Sequence, residues 1–262
     1  MIKEILDYEI EEARKILYDQ RVPELNQESA LESLLFCIAG QVSLWEPSVR
    51  FIRNLRKYSY HNDADSMYKV ASFKILSDKY LVNLAAQESG IRFSKHGRFE
   101  SSIDYFLKTN HEFWKEIPNA DINLREEYVN HNSTKRIRWV GRKTFSLWHQ
   151  FLGGKELLAL DVWVMKRLNK LGIEIDEDYI IPKRRTPKSQ KNRLTPSKED
   201  YLRIEREAYE IFSQDKRFLL PNERVDMTLV DAVLWWKGAN RGSLNQYKLF
   251  DNGSTFPYSK KH

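Results

Sequence analysis

Helical periodicity runs through almost the whole chain and is the feature that most restricts its fold. Within residues 27–39, apolar side chains recur at spacings of three and four residues, as expected for a helix with one buried face: Leu31, Leu34, Leu35 and Ile38. Similar patterns occupy residues 2–18, 48–58, 75–88, 100–108, 142–152, 162–171, 200–213 and 225–237. Alternating strand patterns are rare, so the sequence predicts an all-α fold of roughly ten helices with short connections.

Hydropathy and cysteine content exclude several classes of protein. No apolar stretch approaches the ~20 residues that a bilayer span requires, so we expect no membrane segment. The first residues are charged and periodic and do not resemble a secretory signal, which predicts a cytoplasmic protein, associated with the nucleoid if prokaryotic. Cys37 is the single cysteine and the six histidines are scattered, so we expect no metal site built from side chains.

Basic residues are concentrated in two places, although the net charge of the whole chain is only +6. Residues 182–197 contain six basic residues, three prolines and no acidic residue, which predicts a basic loop between helices. The other concentration surrounds residues 135–142. Local positive charge of this kind is typical of surfaces that contact a nucleic-acid backbone. Residues 241–262 are predicted to form an irregular tail.

The basic segment around residue 140 carries the features that predict chemistry. A short basic helix beginning near Thr134 is expected to meet a tight turn at Val140 and Gly141, followed by a second helix. The first backbone N–H groups of that second helix provide a site for a phosphate group. Lys143 lies in its first turn, where the helix dipole and neighbouring cations disfavour the ammonium form, as a nucleophilic amine requires.

Asp161 follows Lys143 by eighteen residues and directly precedes a helix predicted to end at Gly172. An aspartate at this position is expected to cap the helix, because its carboxylate accepts backbone N–H groups and is thereby held in one direction. Taken alone, Asp161 is better explained as a plain N-cap, and Lys143 as a solvated lysine or a phosphate contact. Their combination at this spacing favours a functional pair.

These residues resemble the helix-hairpin-helix DNA glycosylase superfamily. Its members carry a hairpin ending Val-Gly-x-Lys-Thr and, shortly afterwards, an Asp that heads the next helix; here these read Val140-Gly141-Arg142-Lys143-Thr144 and Leu160-Asp161-Val162. The order of helices from about 27 to 238 also fits the family. The absence of an iron–sulfur cluster, required by the lone Cys37, points to cluster-free branches such as the 8-oxoguanine glycosylases.

The resemblance implies a domain organisation. Residues 1–262 would form one glycosylase unit, in which two helical subdomains flank a DNA-binding cleft and the helix-hairpin-helix lies at their junction. One subdomain would span about 30–140, together with a hairpin and catalytic helix over 141–172. The other would combine about 1–29 with 173–240.

The resemblance also implies an activity. Lys143 would attack C1′ of a damaged nucleoside, displace the base and form a Schiff base that permits β-elimination, while Asp161 would stabilise the cationic sugar. The partner would be damaged double-stranded DNA and the protein a monomer. Contacts to the DNA backbone would come from Lys135, Arg138, Trp139, Gly141, Arg142 and Thr144. No cofactor is expected beyond a monovalent cation at the backbone carbonyls of Lys135, Ile137 and Val140.

The hairpin departs from the family at one point. The usual turn is Leu-Pro-Gly-Val-Gly, whereas this chain has Ile137-Arg138-Trp139-Val140-Gly141. If the first glycine of that turn needs a positive φ, then Trp139 is strained or the turn is rearranged. Trp139 would stack on a sugar or base, or pack between the hairpin helices.

Base recognition is assigned to a late helix. Asp231 and Trp235 lie four residues apart and so share one helix face, which would offer an aromatic platform and a polar group to a purine. The pair resembles the archaeal-type 8-oxoguanine glycosylases, in which a Gln from an early helix, here Gln41, completes the pocket. A core Trp with a surface acid, and a polar helix end at Gln41, are equally consistent. Oxidised pyrimidines, alkylated purines, mismatched thymine, and a non-catalytic DNA-binding module stay open.

Overall fold

A computed structural model describes residues 4–41, 45–60, 69–91, 97–109, 112–181 and 195–239. Within these ranges the chain is helical, and an isolated bridge between Leu219 and Val225 is the sole strand-like pairing. This confirms the all-α prediction. The α-helices are α1 (Asp7–Gln20), α2 (Gln27–Ala39), α3 (Trp45–Tyr60), α4 (Phe73–Leu76), α5 (Lys79–Glu88), α6 (Arg98–Lys108), α7 (Ile122–Val129), α8 (Arg142–Phe151), α9 (Val162–Lys170), α10 (Glu177–Ile180), α11 (Lys198–Phe212) and α12 (Met227–Ala239).

The helices group into two compact units. Among the described residues, the α2–α6 unit takes in 15–115 and the α7–α12 unit takes in 4–14 and 116–239. These bounds differ from the predicted subdomains, which divided the chain near 29 and 172. Residues 116–172 group with the residues that follow them because α9 packs along α12. Within the unit, the ring of Tyr128 on α7 stacks on Phe145 of α8 at 5.4 Å between centroids. Most of the basic loop, residues 182–194, and the tail at 241–262 lie outside the described residues.

Helix α2 forms the centre of the α2–α6 unit and packs against α3, α4 and α6. The predicted apolar positions are fully buried, but so are polar positions on the opposite side, including Glu32. Glu32 is stabilised there by an ion pair with Arg56 of α3 and by the backbone N–H of Ala71, 2.7 Å from its carboxylate. The expectation of a single buried face is therefore too narrow, because paired charges allow α2 to be buried all round.

The α7–α12 unit has α9 packed along α12 and α8 packed against α7. The predicted α8 face is confirmed, since Phe145, Trp148 and Leu152 are all buried. Gly172, at φ +97°, follows the last turn of α9 as predicted. Among the described helices, none combines the length and apolar character needed to cross a membrane.

Two helix predictions differ from the structure. The single pattern over 75–88 corresponds to two helices, α4 and α5, because Asp78 breaks the run and caps α5 through the N–H groups of Tyr80 and Leu81. Helix α7 was not predicted. Its buried face carries Arg125, and a charged residue in the core removes the apolar signal on which periodicity depends.

Candidate active site

The hairpin turn that precedes α8 is built from loop residues rather than from a short basic helix. Helix α7 ends at Val129, and residues 130–141 contain three turns and no helix. The backbone N–H of Ile137 donates to the carbonyl of Tyr128 at 3.0 Å and ties the turn back to α7. The predicted helix from Thr134 is therefore wrong: the sharp reversal leaves no room for consecutive helical hydrogen bonds.

Trp139 has the backbone conformation that its position in the turn demands. Its φ is +70°, in the left-handed region, at the place where the family turn carries glycine. A side chain there costs about 1–2 kcal/mol relative to glycine. The indole is half-buried, and the guanidinium of the exposed Arg138 lies over it at 5.3 Å. Tryptophan in place of the usual glycine thus adds an indole to the surface of the turn, while the backbone keeps its left-handed conformation.

The positive charge of the turn is partly neutralised by acids of the neighbouring α7. Arg142 makes two hydrogen bonds of 2.7 and 2.8 Å to Glu126, and the ammonium of Lys135 lies 2.9 Å from Glu127. Lys135 and Arg142 belong to the predicted concentration of positive charge, and the structure pairs both with carboxylates of α7. Because α7 was not predicted, its acids were not placed beside the turn.

Helix α8 begins at Arg142 with an N-terminus that lacks a side-chain cap. Gly141 is the N-cap residue, is exposed, and contributes no side chain to the first N–H groups. Lys143 is exposed one residue into the helix, whereas the side chain of Thr144 is buried. Of the carbonyls suggested for a cation, that of Ile137 already accepts the N–H of Val140 at 3.2 Å.

Asp161 caps α9 as predicted. One carboxylate oxygen, Oδ1, accepts the backbone N–H groups of Trp163 and Val164, each at 2.8 Å. This double contact fixes the carboxylate at the positive end of α9 and leaves Oδ2 outside the cap. The side chain is half-exposed, so it can meet a ligand from solution.

Asp231 adds a buried carboxyl group from α12 to the candidate site. It is buried, and its Oδ1 atom has no hydrogen-bond partner among the described residues. Burial raises the pKa of Asp231 well above its ordinary value, and the negative charge of Asp161 adds to this. The Gln150 amide and the Lys143 ammonium act in the opposite direction. The charges of Asp161 and Lys143 thus act on Asp231, and the packing of α9 along α12 brings the elements that carry Asp161 and Asp231 together.

Trp235 and Gln41 have separate settings. Trp235 is half-buried one turn after Asp231 on α12, so the shared face is confirmed while its contact with a base stays a prediction. Gln41 follows α2 in the other unit, is half-buried, and accepts a hydrogen bond of 3.4 Å from Arg98.

Gln150 of α8, whose side chain is hydrogen-bonded to Asp231, was not predicted from the sequence. Its position seven residues after Lys143, two turns along α8, is the signal that could have found it.

The arrangement combines an exposed amine, a half-exposed carboxylate held in one direction, and a buried carboxyl group whose pKa is raised by burial. An amine can act as a nucleophile toward an electrophilic carbon. A fixed carboxylate stabilises positive charge that develops beside it. A buried neutral carboxyl group can both donate and accept a hydrogen bond.

Asp231→Asn is expected to raise the melting temperature by a few degrees at pH 8 and to leave it nearly unchanged at pH 4. Because the pKa of Asp231 is raised by burial, the native state holds a proton that the unfolded chain releases above a pKa of about 3.9. The free energy of unfolding therefore falls as the pH rises from about 3.9 towards the raised native pKa of Asp231. Asparagine does not titrate, so Asp231→Asn removes this pH dependence. Thermal melts at both pH values measure the effect. Equal melting temperatures for both proteins at pH 8 would contradict the assignment.

Comparison with solved structures finds a similar fold in the crystal structure of Methanocaldococcus jannaschii 8-oxoguanine glycosylase/lyase in complex with a 15-mer DNA containing 8-oxoguanine. The match covers 92% of each chain, with a TM-score of 0.51 and 18% sequence identity. No family model and no curated protein matches the sequence. The chain thus has the helical fold of that protein.

Proposed function

We propose that this protein is a DNA glycosylase with AP lyase activity that removes 8-oxoguanine from damaged double-stranded DNA. The convergence of Lys143, Asp161 and Asp231 in the α7–α12 unit carries the proposal. The fold shared with an 8-oxoguanine glycosylase/lyase supports it. We further propose that the protein acts as a monomer on a nucleotide flipped out of the duplex.

Lys143 is the proposed nucleophile. Its free amine attacks C1′, the glycosidic bond breaks, and the bonding electrons leave with the base, which takes up a proton. Loss of the amine proton and opening of the sugar ring leave an iminium ion between Nζ and C1′. Removal of a proton from C2′ then expels the 3′ phosphate. The exposure of Lys143 suits this role, because the side chain can reach a nucleotide without rearrangement of the core.

Asp161 is proposed to stabilise the positive charge that develops on the sugar as the base departs. Its direction is set by the cap, so little reorganisation is needed when the charge appears. The free Oδ2 atom is the one available to face the sugar. The cap occupies only Oδ1. One oxygen of the carboxylate therefore stabilises the start of α9, and the other is left for catalysis.

Asp231 and Trp235 are proposed to bind the base. A protonated Asp231 can donate to one atom of an oxidised purine edge and accept from another, while the indole of Trp235 offers a stacking surface. The unpartnered Oδ1 of Asp231 supports this, since a buried polar atom without a partner favours binding a ligand that supplies one. By resemblance, Gln41 is a further candidate for contact with the base.

Contacts to the DNA backbone are proposed at the hairpin. The exposed Arg138, the Trp139 indole that it covers, and the N–H groups that follow Gly141 suit phosphate and sugar contacts. Lys135 and Arg142 would exchange their α7 carboxylates for phosphate groups, and Thr144 would contribute through its backbone. A monovalent cation bound by carbonyls of this turn stays part of the proposal.

The proposal is tested by incubating the protein with lesion-bearing duplexes in the presence of borohydride, which reduces a Schiff base to a stable adduct. We expect a covalent protein–DNA adduct and strand cleavage with the 8-oxoguanine duplex. A panel with an oxidised pyrimidine, an alkylated purine and a thymine mismatch determines the base preference. Excision of another base alone would overturn the 8-oxoguanine assignment. Binding without adduct or base release would indicate a non-catalytic module.

A further inference from the structure

The chain that leads into Asp161 is buried but has no regular secondary structure. Residues 157–160 are almost inaccessible to solvent and belong to no helix, so regular helical hydrogen bonds do not pair their backbone groups. Buried N–H and C=O groups must find partners elsewhere, because leaving one unpaired is unfavourable. The partners of this segment therefore determine where α9 begins and where its capping carboxylate lies.

Two side chains of α11 provide most of these partners. The hydroxyl of Tyr201 donates to the carbonyl of Leu158 at 2.8 Å and accepts the N–H of Leu160 at 3.1 Å. The carboxylate of Glu205 accepts the N–H of Leu158 at 2.9 Å. Tyr201 and Glu205 are four residues apart and so project from the same face of α11.

The same carboxylate is joined to the helix that carries Lys143. Arg125 of α7 makes hydrogen bonds of 3.0 and 2.8 Å to Glu205, and it also donates to the hydroxyl of Ser146 on α8 at 3.2 Å. Ser146 lies three residues after Lys143 on the same helix. Arg125, Ser146, Tyr201 and Glu205 are all buried, so water does not replace these contacts.

We propose that Tyr201, Glu205 and Arg125 are positioning residues that hold Asp161 in register with Lys143. This inference rests on the proposed function, since it concerns the two groups that would act on the sugar. The network contacts both the segment before Asp161 and the body of α8, and it touches no substrate. Burial keeps the Tyr201 hydroxyl protonated by raising its pKa, so it remains a donor at all working pH values.

Tyr201→Phe tests the proposal, because it removes one hydroxyl and leaves the ring. We expect the single-turnover rate of base excision to fall roughly 10- to 100-fold, since small displacements of catalytic groups have effects of this size. Affinity for the lesion duplex and borohydride trapping on a preformed abasic site should change little, because neither requires Asp161 to stabilise the sugar while a base departs. Tyr209→Phe, on an accessible part of α11, is the matched control.

Double variants distinguish a positioning role of Tyr201 from a general destabilisation of the protein. In the Asp161→Asn background, Tyr201→Phe should reduce excision less than twofold further, because the carboxylate that it positions is gone. An equal loss in both backgrounds, or an unchanged rate in Tyr201→Phe alone, overturns the proposal. Failure of the wild-type protein to excise any base would overturn the proposed function instead.

Hydrogen exchange and a second substitution provide independent readouts. The amide of Leu160 should exchange faster in Tyr201→Phe than in wild type, and equal protection would contradict the assigned contact. Should Tyr201→Phe not fold, Ser146→Ala removes the link from Arg125 to α8 and the hydrogen bond between the Ser146 and Tyr201 hydroxyl groups. That variant should lower excision several-fold at unchanged DNA affinity, and a wild-type rate would count against the network.

Discussion

Asp161→Asn should reduce the rate of base excision by about 10²–10³-fold while leaving the fold and melting temperature almost unchanged. Asparagine is as good a helix cap as aspartate, so the N–H groups of Trp163 and Val164 keep their acceptor. The substitution removes the negative charge that would stabilise the sugar. Single-turnover excision from an 8-oxoguanine duplex and thermal melts measure the two effects separately.

The chain contains a matched control for this variant. Asp78 caps α5 in the same way as Asp161 caps α9, accepting the N–H groups of Tyr80 and Leu81 at 2.9 and 3.1 Å. Asp78→Asn should therefore keep both the melting temperature and the excision rate. If Asp161→Asn also kept a wild-type rate, Asp161 would be a structural cap and the proposed mechanism would be wrong.

Lys143→Gln should abolish the borohydride-trapped adduct and lower strand cleavage by on the order of 10³-fold or more, because the amine that forms the Schiff base is removed. Lys143 is exposed and makes no ion pair among the described residues, so its replacement should not affect stability. Gel analysis after borohydride treatment detects the adduct, and an equilibrium binding assay shows whether the DNA contact is kept.

Lys170→Gln serves as the control for Lys143→Gln, since Lys170 is an exposed lysine at the far end of α9. This variant should form the adduct at the wild-type rate. A persistent adduct in Lys143→Gln would mean that another amine is the nucleophile. A large loss of DNA affinity with normal cleavage of bound DNA would instead assign Lys143 to phosphate binding.

Local patterns predicted the caps and the helix faces of the site correctly. Asp161 precedes an amphipathic helix, and capping depends on contacts within three residues, so the structure reproduces the predicted geometry. For Trp139 the sequence left two outcomes open, a strained backbone or a rearranged turn, and the positive φ corresponds to the first. A fixed loop shape demands a positive φ there, whatever residue occupies the position.

Charge around the hairpin could not be predicted in the same way. In the sequence, Lys135 and Arg142 stand among other basic residues. In the structure, acids from α7 pair with both of them across the turn. These acids lie on a helix whose buried Arg125 hides its periodicity. Such pairing depends on how α7 packs beside the turn, and the spacing of residues along the sequence does not predict this packing.

By itself the sequence determined the helical class, the capped start of α9 and the exposed lysine of α8, because each follows from interactions within a few turns of one helix. Only the tertiary structure decided that Asp231 bonds to Gln150 and is influenced by the charge of Asp161, and that Tyr201, Glu205 and Arg125 support the chain before Asp161. The physical reason is burial: a carboxyl group keeps its proton, and a loop requires side-chain partners, only where packing has excluded water.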